Sequence, residues 1–167
     1  MQYIICVESN SQCQSDYIYI KSLIRFRYKL PKMAPKFSPV FLGGKNNYDR
    51  CLSRISTLIK KYGSPKDSIV IMCFDTDLGG DGEKYNKSIS QFCLSKGYQL
   101  VWFNRVVEEV FLGKKISNKD KKREAEKFLR ESKIETINWD TCLHDGLTKK
   151  PGTSNVISVF DGLLPKK

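Results

Sequence analysis

The fold is decided by the sequence IVIMCF at residues 69–74, which is followed directly by DTD at residues 75–77. A run of apolar residues without polar alternation indicates a strand that is buried on both faces of an α/β sheet. A second apolar run, YIICV at residues 3–7, also ends in a carboxylate, Glu8. Because ligands of open α/β sheets bind beyond the carboxyl ends of the strands, Glu8, Asp75 and Asp77 are predicted to lie at one edge of the sheet.

These carboxylates would repel one another unless a cation lies among them. Asp75 and Asp77 are expected on the same side of an extended chain, because alternate residues share a face. Carboxylate and water oxygens are the ligands that Mg²⁺ prefers. The sequence therefore predicts a Mg²⁺ or Mn²⁺ site in which Glu8, Asp75 and Asp77 are metal ligands and catalytic residues, with Glu8 also suited to general acid or base work.

The rest of the chain alternates between strand and helix patterns. Strands are predicted near residues 2–7, 39–42, 69–74 and 99–103, and helices near residues 15–29, 48–62, 83–96, 106–112 and 118–132. Strands separated by helices imply a mainly parallel sheet built from βαβ units. We expect an α/β domain of about four strands over residues 1–112, with a C-terminal helical extension over residues 113–167 that packs on the same domain.

The charge of the chain favours an anionic partner. There are 29 Lys and Arg residues against 18 Asp and Glu residues, which gives a net charge of +11. Such an excess is typical of proteins that bind nucleic acid, because phosphate neutralisation supplies much of the affinity; a lysine-rich surface without a partner is the alternative. Lys21, Arg25 and Lys29 are interleaved with aromatic residues and are predicted to contact phosphates. The later lysines at residues 114–122 are predicted to be a solvated helix start.

Several classes of protein are disfavoured. No stretch approaches the roughly 20 apolar residues that cross a bilayer, and the N-terminus lacks a signal-peptide pattern. The six cysteines are scattered without a CxxC pair, which indicates free thiols and a cytoplasmic protein without membrane partners. The single histidine, His144, cannot make a zinc site with them.

In the order of its motifs, the chain resembles the TOPRIM family of topoisomerases and primases, which has a Glu after its first strand and Asp-x-Asp after a later one. It is most similar to the small RloB-like TOPRIM proteins of bacterial defence loci. Their Thr-Glu-x-x-Tyr-Phe-x-x-Leu pattern corresponds to SDYIYIKSL at residues 15–23, and their glycine turn to GGK at residues 43–45. Their Asn and Phe-Glu pattern corresponds to Asn104 and Val107-Glu108, so the resemblance covers residues 2–112.

This resemblance implies a Mg²⁺-dependent nuclease that cleaves DNA or RNA, with a role in phage defence. It adds a group of secondary site residues: Ser15, Asp16, Tyr19, Asn104 and Glu108. Lys45, next to two glycines, is predicted to neutralise a substrate phosphate, with an ordinary turn lysine as the alternative. Ser9 replaces the glycine expected after Glu8, and Val107 replaces an aromatic residue. Two alternatives stay open. One is a non-catalytic or partner-activated TOPRIM module that binds nucleic acid or a defence ATPase, and the other is a different α/β phosphate-binding or receiver-like domain.

Overall fold

A five-stranded sheet lies between two layers of helices. The computed structural model describes residues 1–30, 35–62, 64–77, 79–144, 146–147 and 150–167. The strands are β1 Gln2–Val7, β2 Lys36–Phe41, β3 Ser68–Asp75, β4 Gln99–Asn104 and β5 Thr153–Ser154. The α-helices are α1 Ser15–Arg27, α2 Leu52–Tyr62, α3 Gly80–Lys96, α4 Val107–Leu112, α5 Lys121–Arg130 and α6 Val156–Asp161. Short 3₁₀ turns lie at Lys45–Asn47, Pro65–Asp67, Lys133–Thr136 and Trp139–Cys142.

The strand order is β2-β1-β3-β4-β5. The first four strands are parallel to their neighbours, and β5 is antiparallel to β4. The prediction of an α/β fold with a mainly parallel sheet flanked by helices is therefore confirmed. The fifth strand was not predicted, because a strand of two residues is too short to show any periodicity.

The two faces of the sheet carry separate hydrophobic cores. Along β1, Tyr3, Ile5 and Val7 point into a first core that contains residues of α1, α4, α5 and α6. Ile4 and Cys6 point into a second core that contains residues of α2 and α3. Because both faces of β1 are covered, the strand has no polar alternation, which is the pattern that predicted it.

Some elements differ from the sequence prediction. β2 begins at Lys36 rather than residue 39, because the whole of β1 pairs with it and an edge strand needs apolar residues on one face only. α2 begins at Leu52 rather than residue 48, since a 3₁₀ turn at Lys45–Asn47 comes first. No individual helix is predicted beyond residue 132, yet the apolar run at residues 156–160 forms α6, whose buried Phe160 joins the first core.

The predicted C-terminal extension is part of the same core as the rest of the chain. Ala125 and Phe128 of α5 are buried against α1, and Val156 of α6 is also buried in the first core. Within the described ranges, none of the helices is long and apolar enough to cross a bilayer. The six cysteines are free thiols, and all but Cys13 are buried.

The order of the strands creates a topological switch point between β1 and β3. From β1 the chain passes through α1, on the first core's face, to β2 on one side. From β3 it passes through α3, on the second core's face, to β4 on the other side. Crevices at such points, beyond the carboxyl ends of the strands, are where open α/β sheets bind ligands. Glu8 follows β1 and Asp75 ends β3, so both carboxylates flank this crevice.

Candidate active site at the carboxyl edge of the sheet

Glu8 is joined directly to the end of β3. Its Oε1 accepts a hydrogen bond of 2.7 Å from the backbone N–H of Asp75. Burial raises the pKa of Glu8 to about 7, although the Lys45 ammonium and this hydrogen bond both act to lower it. Nearby Asp16 and Asp77 add to the rise. A carboxyl with a pKa near neutral is suited to proton transfer, which fits the acid or base role expected of Glu8.

Asp75 is held from the opposite side by the start of α4. Its Oδ1 accepts a hydrogen bond of 2.9 Å from the N–H of Val107. Desolvation raises its pKa well above the ordinary range, and the charges of Glu8 and Asp16 raise it further. The negative charge of Asp75 is therefore under-compensated by the protein, even though Lys121 acts to lower its pKa.

The turn between β4 and α4 places the amide of Val107 on Asp75. Arg105 in this turn has φ 81, a left-handed conformation that is uncommon for a bulky residue. Its N–H donates to Thr76 Oγ1 at 2.8 Å, and the N–H of Thr76 donates to Phe103 O at 2.9 Å. Backbone strain of this kind persists where the surroundings fix it, and it concentrates at functional sites.

Lys45 supplies a fixed positive charge to this edge. It is only 8% exposed, and its Nζ donates to three oxygens: Asp75 O at 2.7 Å, Asp77 Oδ2 at 3.1 Å and Asn86 Oδ1 at 2.8 Å. These three contacts match the three donors of an ammonium group. Lys45 was predicted to neutralise a substrate phosphate, and to do so it would have to give up one of these contacts.

Asp77 and Asp75 have different partners. The Asp77 side chain is 60% exposed and pairs with Lys45, whereas Asp75 bonds to α4. The backbone at Asp77 passes so close to α3 that a Cβ on Gly82 would come within 2.5 Å of the Asp77 Cβ. Asn86 Nδ2 also donates to Asp77 O at 2.8 Å. Sequence reasoning missed Asn86, because a single Asn inside a helix has no distinctive pattern.

Asp16 lies beside Glu8 at the start of α1. Its Oδ2 accepts from the N–H of Ser9 at 2.9 Å, and its Oδ1 accepts from Ser15 Oγ at 2.9 Å. Ser9 is not among the residues with positive φ, so the serine in place of glycine fits this turn without backbone strain. Asp16 and Ser15 are thus positioned to order the loop after Glu8.

Glu108 and Tyr19 lie in the first core behind Asp75. Glu108 is fully buried, and Lys121 Nζ lies 3.3 Å from its Oε2. Desolvation raises the pKa of Glu108, and Lys121 only partly opposes this. The ring of Tyr19 stacks on Phe111, and its buried hydroxyl lacks a hydrogen-bond partner among the described residues. Lys121 was predicted to be part of a solvated helix start; instead α5 packs on α1 and turns this lysine towards a buried carboxylate.

The remaining predicted residues lie elsewhere. Asn104 is buried, and its Nδ2 donates to Thr153 Oγ1 at 2.9 Å, which ties β4 to the C-terminal segment. Lys21, Arg25 and Lys29 are exposed on or just after α1. At about 1.5 Å per helical residue, Arg25 lies about 14 Å along α1 from Asp16, so this basic group is not part of the carboxylate cluster.

The carboxylate cluster fits a divalent cation only in part. Among the described residues, no group of three or more His, Cys, Asp and Glu side chains is arranged to hold a metal ion. Glu8 and Asp75 nevertheless supply oxygens of the type that Mg²⁺ prefers, and their raised pKa values mean that the protein alone stabilises their charged forms poorly, which a cation would correct. The pair therefore suits a magnesium ion, whereas Oδ2 of Asp77 is already paired with Lys45.

Comparison of the chain with models of known protein families, with curated proteins and with solved structures gives no match. What the site does must therefore be argued from its own geometry.

Proposed function

We propose that this protein is a TOPRIM-type, metal-dependent nuclease that cleaves phosphodiester bonds of DNA or RNA. The observation that carries the proposal is the pairing of Glu8 and Asp75 across the switch point of the sheet, with both pKa values raised. Strongly perturbed carboxyl groups in a crevice are favoured candidates for catalysis. The net charge of +11 is in keeping with a polyanionic substrate, and a role in bacterial phage defence belongs to the same proposal.

In this proposal Glu8 and Asp75 hold Mg²⁺ or Mn²⁺. When bound, the ion would polarise a phosphoryl oxygen and stabilise the leaving oxygen. Asp75 is kept in place by the amide of Val107, and Glu8 by the amide of Asp75 itself. Glu8 would move a proton at its carboxylate, and Lys45 would hold the backbone of Asp75 and the side chain of Asp77 in register.

The test is cleavage of labelled single-stranded DNA, duplex DNA and RNA with Mg²⁺ or Mn²⁺. Asp75→Asn keeps the shape of the side chain and removes its charge, so the rate should fall by at least about 100-fold. The matched control is Asp81→Asn at the start of α3, because the Asp81 side chain is 92% exposed and, among the described residues, forms an ion pair with Lys84 alone; this variant should cut at the wild-type rate. EDTA should stop the wild type. Equal cleavage by wild type and Asp75→Asn would place the active site elsewhere.

A second candidate is a non-catalytic or partner-activated TOPRIM module that binds nucleic acid or a defence ATPase. One observation favours it: the ammonium of Lys45 already pairs with Asp77, which the sequence predicts to be a metal ligand. An absence of cleavage with every substrate, while nucleic acid still binds in EDTA, would select this candidate. Cleavage that begins only when the partner ATPase is added would select its partner-activated form.

A further inference from the structure

A cavity of about 300 Å³ lies between α1 and the edge strand β2. This volume is at the lower end of the range for ligand pockets. Its floor and walls are apolar or aromatic, and its rim carries two cations. The residues that define it are Tyr17, Ile24, Phe37, Leu30, Lys21 and Arg25.

The aromatic walls of the cavity are fixed in place. The ring of Phe37 stacks on Tyr3 with centroids 5.3 Å apart, and the ring of Tyr17 meets Phe41 edge-on at 6.1 Å. Tyr17 is only 8% exposed. Rigid rings lose little conformational entropy when a planar group binds against them, so the cavity is preorganised for such a group.

The charge at the rim of the cavity is positive. Among the described residues that line the cavity, Lys21 and Arg25 are charged and none is acidic. Lys21 and Arg25 are one helical turn apart on α1, whereas Lys29 lies beyond the end of this helix at Arg27. Residues four apart on a helix share a face with an axial separation of about 6 Å, so Lys21 and Arg25 form a short row of two cations at the rim of the cavity.

One end of the cavity is nearer to the carboxylate cluster than the other. Phe37 pairs with Tyr3 near the start of β1, whereas Tyr17 follows Asp16, whose carboxylate holds the loop after Glu8. A strand that extends from Arg25 past Lys21 and Tyr17 would therefore run towards the carboxyl edge of the sheet.

We propose that this cavity receives one unstacked base of a single-stranded nucleic acid, while Lys21 and Arg25 bind the adjoining phosphates. A row of cations beside an aromatic pocket is the combination by which proteins bind single strands. A base within a duplex is stacked and paired and cannot enter such a pocket. The inference rests on the proposed function for its choice of a nucleic acid, and it adds the strandedness of the substrate and the place where it binds.

The first test measures binding in EDTA, so that cleavage does not enter. A fluorescein-labelled oligothymidylate should bind at least about fivefold more tightly than an abasic strand of the same length and charge, because the aromatic contact of one base is lost. Equal affinities for the two strands would overturn the base pocket.

The second test removes the two cations of the rim. Lys21→Gln/Arg25→Gln should weaken binding of both strands and lower the slope of log affinity against log salt by about 1.4, which is two single-strand phosphate contacts. Lys87→Gln/Lys115→Gln removes the same number of exposed cations elsewhere. An equal loss in this control would show that only the net charge matters and would overturn the proposed site.

The third test needs no variant and so does not depend on folding. Oligonucleotides with 5-iodouracil, bound to the wild-type protein and irradiated, should form cross-links that mass spectrometry maps to Tyr17 or Phe37. Cross-links confined to other aromatic residues would overturn the inference. If neither Tyr17 nor Phe37 is cross-linked but metal-dependent cleavage is intact, the base pocket is excluded and the nuclease proposal is retained. If Tyr17 is cross-linked but no cleavage occurs, the base pocket is retained and the non-catalytic binding module is favoured.

Discussion

Two carboxylates of this chain, Asp75 and Asp161, are in opposite electrostatic situations. Desolvation and the neighbouring Glu8 raise the pKa of Asp75 well above its usual range. For Asp161, desolvation also acts to raise the pKa, but hydrogen bonds from Arg27, Lys166 and Tyr28 outweigh it and lower the pKa to about 2. The protein therefore stabilises the charged form of Asp161 and disfavours the charged form of Asp75.

The positions of the two residues explain this difference. Asp161 lies at the end of α6, where it ties the C-terminal segment to Arg27 at the end of α1. Asp75 lies at the switch point, near the first turn of α1, which contains Asp16. A charge that only stabilises the fold gains from having every partner within the chain. A charge left under-compensated costs folding free energy, and such sites are the ones expected to bind a cation or move a proton.

The largest effect on stability is expected when Lys45 is replaced. If its ammonium is the main internal partner of the carboxyl edge, Lys45→Met should lower the free energy of unfolding by about 2–4 kcal/mol, because a buried carbonyl and two side-chain oxygens lose a charged donor. Urea unfolding in EDTA measures the effect. Lys87→Met, an exposed lysine of α3, is the control and should change stability by less than about 0.5 kcal/mol. If Lys45→Met changed the free energy of unfolding as little as this control does, the contacts of Lys45 would contribute little to stability.

The contribution of Glu8 to the free energy of unfolding should depend on pH. Its pKa is about 7 in the folded protein and 4.5 in the reference state, so its ionisation opposes folding above pH 7, and this cost disappears as the pH falls to 4.5. Glu8→Gln should therefore be more stable than wild type, by about 3 kcal/mol at pH 8, with no difference near pH 4.5. Unfolding at several pH values in EDTA provides the measurement.

Adding Mg²⁺ completes the test of Glu8. If Glu8 and Asp75 hold the ion, Mg²⁺ should raise the unfolding temperature of wild type and raise that of Glu8→Gln much less, since only the folded site binds the metal. A stability difference that is the same at pH 4.5 and pH 8 would contradict the ionisation argument. An equal Mg²⁺ shift in both proteins would remove Glu8 from the metal site.

The sequence predicted the sheet well because the information is local. Both faces of β1 and β3 are covered by helices, and this leaves uninterrupted apolar runs that end in Glu8 and Asp75. The parallel order of the strands then brings those two residues to one edge. What the sequence could not show was set by contacts between distant segments.

Lys121 illustrates such a contact. Within its own helix it is one of several lysines, and only the packing of α5 on α1 brings it to Glu108. Asn86 likewise gains its role from the close approach of β3 and α3 at Gly82. The partners of Lys45 were also hidden, because an ammonium next to two glycines could equally have faced a substrate. Periodicity gives the burial of a residue, but it does not give the atoms that the residue meets.

The smallest expected effect concerns Asp161. Its pKa is lowered in the folded state, so its ion pairs stabilise the protein above pH 3.8, the reference value, and this contribution is lost as the pH falls from there to about 2. Asp161→Asn should therefore cost about 1 kcal/mol at pH 7, because a partly exposed ion pair of good geometry contributes about that much. The difference should vanish near pH 2, and it should shrink in high salt. Asp49→Asn, an exposed aspartate outside the tail, should show neither trend. If Asp161→Asn lowered the free energy of unfolding as much at pH 2 as at pH 7, the loss would come from packing at the end of α6. The contrast with Asp75 would then not be a difference in charge compensation.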